Sequence, residues 1–258
     1  MAESQLSSVR NAARVLKAFT SRDRVFGVTE MAHKLHLSKS TVHRLLTTLT
    51  AEHLIEQNPD TGKYHLGLAV YDLAAAASAG FDLGEAVIPP MTVLRDRTGE
   101  TVQVAVLDGR EVVYVQRLDS THTLKFFLKL GRRNWVHCTS TGKVLLAHLP
   151  RTELERTLDG WQLPALTSFT ITDPELLMKE LAEIRDLGFG QNRSESEVGT
   201  MSIGAPIRDA SSKVVAAMSV AGPVTRLDAG IHSVTYSVLE AAAVASRRLG
   251  YRARGATQ

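Results

Sequence analysis

The segment from Ser38 to Glu52 constrains this chain more than any other. At about 100° per residue, Val42, Leu45, Leu46 and Leu49 share one arc, while Ser40, His43, Arg44 and Thr47 centre on the opposite side. One face suits a core and the other is left free. Ser38 stands at the N-cap position, His36-Leu37 reads as a tight break, and Val28-Thr29-Glu30 opens a short helix burying Met31, Ala32 and Leu35. A short helix, a tight turn and a longer capped helix form the helix-turn-helix arrangement.

The flanks extend this unit. Val9, Ala12, Ala13, Leu16 and Phe19 recur at three- and four-residue spacing, which predicts a first helix capped by Ser7 or Ser8 and ending near Thr20. Leu54 to Gln57 is strand-like, Asn58-Pro59-Asp60-Thr61-Gly62 is turn chemistry, and Lys63 to Leu66 alternates back, giving a hairpin wing with Lys63 and Tyr64 at its tip. Taken alone, the long helix reads equally as a solvated amphipathic helix, and the hairpin as a plain surface turn. Their succession favours duplex DNA: the free face can read base edges in a major groove while Ser38, Lys39 and the first-turn amides hold phosphates.

Charge placement agrees with this reading. Residues 1–66 hold nine Lys/Arg against six Asp/Glu, and the remaining 192 residues balance at 21 of each, so the whole net charge of +3 lies in the N-terminal quarter. At 258 residues the chain is long enough for two domains, and 44% apolar with 22% charged residues is ordinary globular composition. No apolar run reaches the roughly 18 residues a membrane helix needs, and MAESQLSSVR has no signal-peptide pattern, so a cytoplasmic protein is expected. The single Cys138 excludes an internal disulfide, and no Cys/His cluster has zinc-site spacing, so neither metal nor other cofactor is expected.

Gly67 to Gly80 is an alanine-rich helical connector, readable as a dimerisation helix or as a spacer. Beyond it, a helix is expected over 88–97 with Pro89 and Pro90 near its start, then strands over 101–107, 111–118, 124–130, 203–207 and 214–220. Helices are expected over 139–149, 174–187 and, as one long element, 227–249. Hairpins interleaved with helices imply an α+β domain built on an antiparallel sheet. The expected division is 1–66 for the winged helix-turn-helix, 67–80 for the linker and 81–258 for the larger domain.

Leu37-Ser38-Lys39-Ser40-Thr41-Val42-His43-Arg44-Leu45-Leu46 and Asn58-Pro59-Asp60-Thr61-Gly62-Lys63-Tyr64-His65-Leu66-Gly67 resemble the DNA-binding domain of the IclR family of bacterial transcription regulators. Thr98-Gly99-Glu100-Thr101, Leu107-Asp108-Gly109, Ser140 to Ala147, Ala205-Pro206-Ile207 and Ser219 to Pro223 resemble that family's effector-binding domain, which is of GAF/PAS-like architecture. The resemblance nominates Ser38, Lys39, Ser40, Thr41, His43, Arg44, Thr47, Lys63 and Tyr64 for DNA contact. For a small-molecule effector, an organic acid or a derivative of one, it points to Thr139, Ser140, Thr141 and Gly142 at a helix N-terminus, with Asn192, Ser202 and Ser219 as polar lining. An acidic residue is common in the family where Asn192 stands, and cysteine where Ser202 stands. Phe127 and Trp135 are candidate apolar walls, and an indole at 135 suggests an aromatic effector. Two readings stand for these groups: Ser140 and Thr141 cap a helix or bind ligand, and Phe127 and Trp135 are core or wall. The resemblance further implies a homodimer or homotetramer on a palindromic operator. Repression of a neighbouring catabolic operon is the expectation, with activation as the alternative.

An enzyme is the rival class. Ser140-Thr141-Gly142-Lys143 has the outline of a phosphate loop, but Val144 replaces the required hydroxyl and His137 stands where glycine is needed. Gly188-Phe189-Gly190 lacks the third glycine of a dinucleotide fingerprint, and there is no G-x-S-x-G elbow. Cys138 beside His137 is the remaining route to a hydrolase, and adjacent strand residues would point to opposite faces.

Overall fold

The computed structural model describes residues 6–20, 23–78, 83–123 and 131–252. The chain divides into two compact units, Met1–Phe81 and Asp82–Gln258.

The first unit runs α1 (Ser7–Ala18), α2 (Val28–Leu35), α3 (Lys39–Ala51), β1 (Ile55–Gln57), β2 (Tyr64–Leu66) and α4 (Ala69–Ser78). In α1 the buried stripe is Val15 and Ala18, continued by Phe19 and flanked by Ala12 and Leu16. Val9 and Ala13, assigned to that face by spacing, are exposed, and Leu6 rather than a serine occupies the N-cap. The turn between α2 and α3 depends on His36, which adopts the left-handed conformation at φ 54°, ψ 46°. Its amide and that of Leu37 return to carbonyls of the last turn of α2, with Leu37 N–H donating to Ala32 O at 3.1 Å. Ser38 then starts α3 by accepting the Thr41 N–H on its Oγ at 3.2 Å. Phe26 pairs with Tyr64 through two backbone hydrogen bonds of 3.0 and 2.8 Å, and its ring meets Phe19 edge-on at 5.3 Å.

The second unit runs α5 (Leu83–Thr98), β3 (Thr101–Asp108), β4 (Glu111–Leu118), β5 (Arg133–Trp135), a 3-10 turn at Val136–Cys138, α6 (Ser140–Ala147), α7 (Arg151–Leu158), α8 (Pro174–Leu187), β6 (Gly190–Arg193), β7 (Thr200–Arg208), β8 (Val214–Pro223), α9 (Val224–Ala229) and α10 (Ile231–Arg248). Among the described residues its six strands form one antiparallel sheet in the order β5-β4-β3-β8-β7-β6, as in GAF/PAS-like domains. Alternation divides the strands between two cores. Val102, Val104, Ile203, Met218 and Val220 face α5 and α10, while Ala105, Tyr114 and Ala217 lie with α6 and α8 on the other side.

Several expectations needed correction. Helix α5 begins five residues before Ile88, so Pro89 and Pro90 lie inside it. Its buried positions, Leu83, Ala86, Val87, Pro90, Met91 and Leu94, keep a regular helical stripe through the prolines. Pro89 has no N–H for the Glu85 carbonyl, and the Arg248 guanidinium donates to that oxygen at 3.2 Å instead. The helix expected over 227–249 is two helices, broken at Gly230, a residue with little helix propensity. The short β5 and β6 carry too few residues to show a period, and α7 buries only Leu154, so it shows no apolar stripe. The strand expected over 124–130 lies outside the described residues.

Candidate nucleic-acid interface and ligand cavity

Helix α3 buries Val42, Leu46 and Leu49, with Leu45 at the edge of the core, and leaves Ser40, His43, Arg44 and Thr47 exposed. Around the cap, Ser38 Oγ lies 3.0 Å from Ser40 Oγ and 2.8 Å from Thr41 Oγ1, a cluster of hydroxyls at the positive end of the helix dipole. The side chains of Lys39, His43 and Arg44 make no hydrogen bond or ion pair with any described residue. Thr47 Oγ1 donates to His43 O at 2.9 Å, so what it presents outward is an acceptor.

In the wing, Asn58 Oδ1 accepts the Asp60 and Thr61 N–H groups, both at 2.9 Å, and Gly62 takes φ +65°. Lys63 Nζ lies 3.1 Å from Glu30 Oε1 in an exposed pair. The Gly27 N–H and the Lys63 ammonium hold the Glu30 carboxyl below its ordinary pKa. Tyr64 corrects the sequence reading: it is 4% exposed, because alternation in β2 turns it inward against Val42, Leu46 and Phe26 of the core. Its ring belongs to the core cluster and does not project from the wing tip.

A cavity of about 90 Å³ opens in the second unit, on the sheet face shared with α6. Strand register builds its floor. Asn192 pairs with Ser202 and Ser202 with Ala221, and in the neighbouring row Ser219 pairs with Gln103. Tyr114 and Asn134 line one end, Thr139 brings in the start of α6, and Arg132, Leu166, Ser196 and Glu197 also line it. Polar groups dominate. Gln103 is 1% exposed, and its Nε2 has no hydrogen-bond partner among the described residues. Burial raises the pKa of the Tyr114 hydroxyl, partly offset by the Thr141 and Asn134 side chains.

Of the nominated ligand residues, Thr139, Asn192, Ser202 and Ser219 line this cavity. Ser140 stands directly behind it, its Oγ donating to Ser202 Oγ at 2.8 Å. Thr141 and Gly142 are buried but do not line it, because the first turn of α6 is pressed onto the sheet. A Cβ at Gly204 would lie 3.3 Å from Thr141 N, and one at Gly142 would lie 2.3 Å from Val136 O. Trp135 is not a wall: alternation along β5 gives the cavity-facing place to Asn134, and the indole packs on Trp161 at 5.8 Å between ring centroids. Phe127 lies outside the described residues. Sequence reasoning passed over Gln103, Tyr114, Arg132 and Asn134. Gln103 had a signal, since the valine face assigned at 102, 104 and 106 leaves an amide on the opposite face of a central strand.

Cys138 is buried, and burial pushes its thiol up to about 12, so it stays protonated and is a poor nucleophile near neutrality. Among the described residues no helix is long and apolar enough to cross a membrane.

Known proteins place the chain as a whole. Residues 8–59 match the model of the IclR helix-turn-helix domain, and residues 75–247 that of the bacterial transcriptional regulator IclR C-terminal domain. The chain is 34% identical over 249 residues to the HTH-type transcriptional regulator XynR of Escherichia coli K12, covering 96% of this chain and 99% of that one. It is 34% identical over 200 residues to the HTH-type transcriptional repressor AllR of the same strain, covering 78% of this chain and 74% of that one. Among solved structures, an IclR homolog from Microbacterium hydrocarbonoxydans complexed with 4-hydroxybenzoate superposes with a TM-score of 0.84 at 28% identity, covering 94% of this chain and 99% of that chain. With a helix-turn-helix whose capped second helix keeps an exposed outer face in one unit and a polar cavity in the other, this chain belongs to the IclR family of bacterial transcription regulators.

Proposed function

We propose that the chain is a ligand-responsive repressor that binds a palindromic operator as a dimer, or as a dimer of dimers, and controls a neighbouring catabolic operon. The observation that carries the DNA reading is the free outer face of α3, with unpaired Lys39, His43 and Arg44 beside the Ser38 cap. Arg44 is the candidate for a bidentate contact to guanine, with His43 and Thr47 beside it. Ser38, Lys39, Ser40 and Thr41 hold phosphates, and Lys63 reaches a phosphate by exchanging its exposed partner Glu30. One helix-turn-helix covers a half-site, so pairing of two chains supplies the second. Helix α4 and its approach present Leu68, Tyr71 and Leu73 at 71%, 76% and 59% exposure, an apolar surface suited to a second copy. Repression is favoured over activation by the likeness to a regulator that is itself described as a repressor.

The effector assigned to the cavity is a small organic acid. Arg132 supplies a cation for a carboxylate, and Gln103, Ser202, Ser219 and Asn192 supply donors and acceptors for further polar groups. With Trp135 removed from the lining, the described walls favour a hydroxylated aliphatic acid over an aromatic one, although a relative of similar fold holds 4-hydroxybenzoate. Fluorescence anisotropy with a duplex from the DNA flanking the gene tests the first half. Specific binding should weaken steeply with added salt and be released by effector, and salt-insensitive binding would defeat the reading. Calorimetric titration with gluconate and 4-hydroxybenzoate tests the second, with gluconate expected to bind more tightly.

A further inference from the structure

We propose that Lys143 is a positioning residue for the effector cavity, tying the segment that carries Ser196 and Glu197 to helix α6. The idea takes its functional meaning from the effector reading above, but its geometry stands apart from any ligand.

Lys143 lies one turn into α6, four residues after the cavity-lining Thr139, and is fully buried. Its ammonium is flanked by carboxylate oxygens: Nζ donates to Glu180 Oε1 of α8 at 2.6 Å and lies 2.8 and 2.9 Å from Glu195 Oε1 and Oε2. Glu195 sits in the connection between β6 and β7, immediately before the two residues that line the cavity. Burial raises the Glu195 pKa and the neighbouring ammonium opposes that rise, so Lys143 is what favours a charged carboxylate there.

The rest of the connection is held on the same scale. Ser194 takes a left-handed φ of 61°, and its N–H donates to Thr200 O at 2.7 Å, closing the loop. Thr170 Oγ1 donates to Glu195 O at 2.6 Å. Asn192, itself in the cavity lining, accepts the Glu195 N–H at 2.8 Å and donates to Ser196 Oγ at 2.9 Å. A ligand group that engages the Asn192 amide therefore meets an atom already committed to this loop. Of these restraints, the contact with Lys143 is the one that ties the loop to helix α6.

Cohesion alone does not call for such a cluster. Buried ion groups can often be replaced by apolar side chains of similar volume without loss of stability, because desolvation offsets their attraction. What an apolar trio cannot do is fix a loop to two helices by directed polar contacts. The cavity would then keep its floor, which belongs to the sheet, and lose the fixed position of one wall.

The experiment is hydrogen exchange of the ligand-free full chain, read by mass spectrometry on peptides spanning residues 194–199, for wild type and for the double variant Lys143→Met with Glu195→Leu. Exchange in that peptide should quicken at least tenfold while β3 and β8 stay within twofold of wild type. An unchanged loop overturns the proposal, and so does uniform acceleration across the sheet, which would make the cluster merely structural. Should the double variant fail to fold, Glu195→Gln, which leaves Lys143 its bond to Glu180, must still quicken the same peptide, and no change there also overturns it. In the folded variant the gluconate to 4-hydroxybenzoate affinity ratio should move toward one, and an unaltered ratio counts against the tether. If neither acid binds the wild type, the effector reading fails while the exchange result still decides the role of Lys143.

Discussion

Two helix N-termini in this molecule use the same chemistry to opposite ends. Helix α3 starts Ser-Lys-Ser-Thr with the Ser38 Oγ on the Thr41 N–H, and α6 starts Thr-Ser-Thr-Gly-Lys with the Thr139 Oγ1 on the Gly142 N–H, each at 3.2 Å. At α3 the Ser38 and Ser40 hydroxyls and Lys39 face solvent. At α6 every residue from Ser140 to Ala147 is buried, and the lysine is spent on two carboxylates of the same chain. Capping pattern and residue type do not separate an intermolecular site from an internal joint; the packing partner does.

The largest contrast should come from the two lysines. Lys143→Met alone strands a buried Glu195 and should cost about 3–5 kcal/mol in denaturant unfolding, whereas Lys39→Met should leave the unfolding midpoint almost unmoved and reduce affinity for every duplex alike. Equal stability losses would erase the distinction. Arg44→Ala should next remove about 1–3 kcal/mol of operator binding, measured by anisotropy, with no change in gluconate affinity. Uniform loss over all duplexes would reassign Arg44 to the phosphate backbone.

The caps themselves give a finer measure. Ser38→Ala should destabilise by about 1 kcal/mol, since water can reach the freed amide. Thr139→Val should cost nearer 2 kcal/mol, because the enclosed Gly142 N–H loses its acceptor. A smaller effect at Thr139 than at Ser38 would contradict the role given to burial. The smallest effect concerns pH. Burial lowers the pKa values of His137 and His148 below the ordinary 6.5, so the unfolded chain binds their protons first. Their contribution is present above 6.5 and is lost as pH falls through the folded values, so the melting temperature should drop by roughly a few degrees on acidification from pH 7 to 5.5. His148→Gln should flatten part of that slope.

Local pattern carried the first unit well, since the α2 to α3 turn, the Ser38 cap and the hairpin are written in adjacent residues. It misplaced the α1 face by reading Val9 into the stripe, whereas the first turn of α1 is exposed. In the second unit the strand pairs around Gly109 and over 203–220 were legible, as was the α8 stop at Gly188, which takes φ +79°. The cavity was only half legible. Thr139 is marked by a helix start, and Asn192, Ser202 and Ser219 came from family likeness. Tyr114 and Asn134 reach the same space through strand register, which depends on partners far along the chain. Tyr64, nominated for DNA contact, and Trp135, read as either core or ligand wall, share one limit: which way an aromatic residue in a short strand points is decided by alternation against a core that spacing does not reveal.

The sheet order has a consequence for how the protein is made. Strand β8, the last to leave the ribosome, sits between β3 and β7 and joins the two halves of the sheet. Until it arrives, β3 and β7 each present an unsatisfied edge, and the nascent domain is two open hairpin sets competing for the same missing partner. Productive pairing of the sheet therefore waits until β8 has been translated, well over a hundred residues after β3, which makes that interval the moment at which chaperone protection matters most.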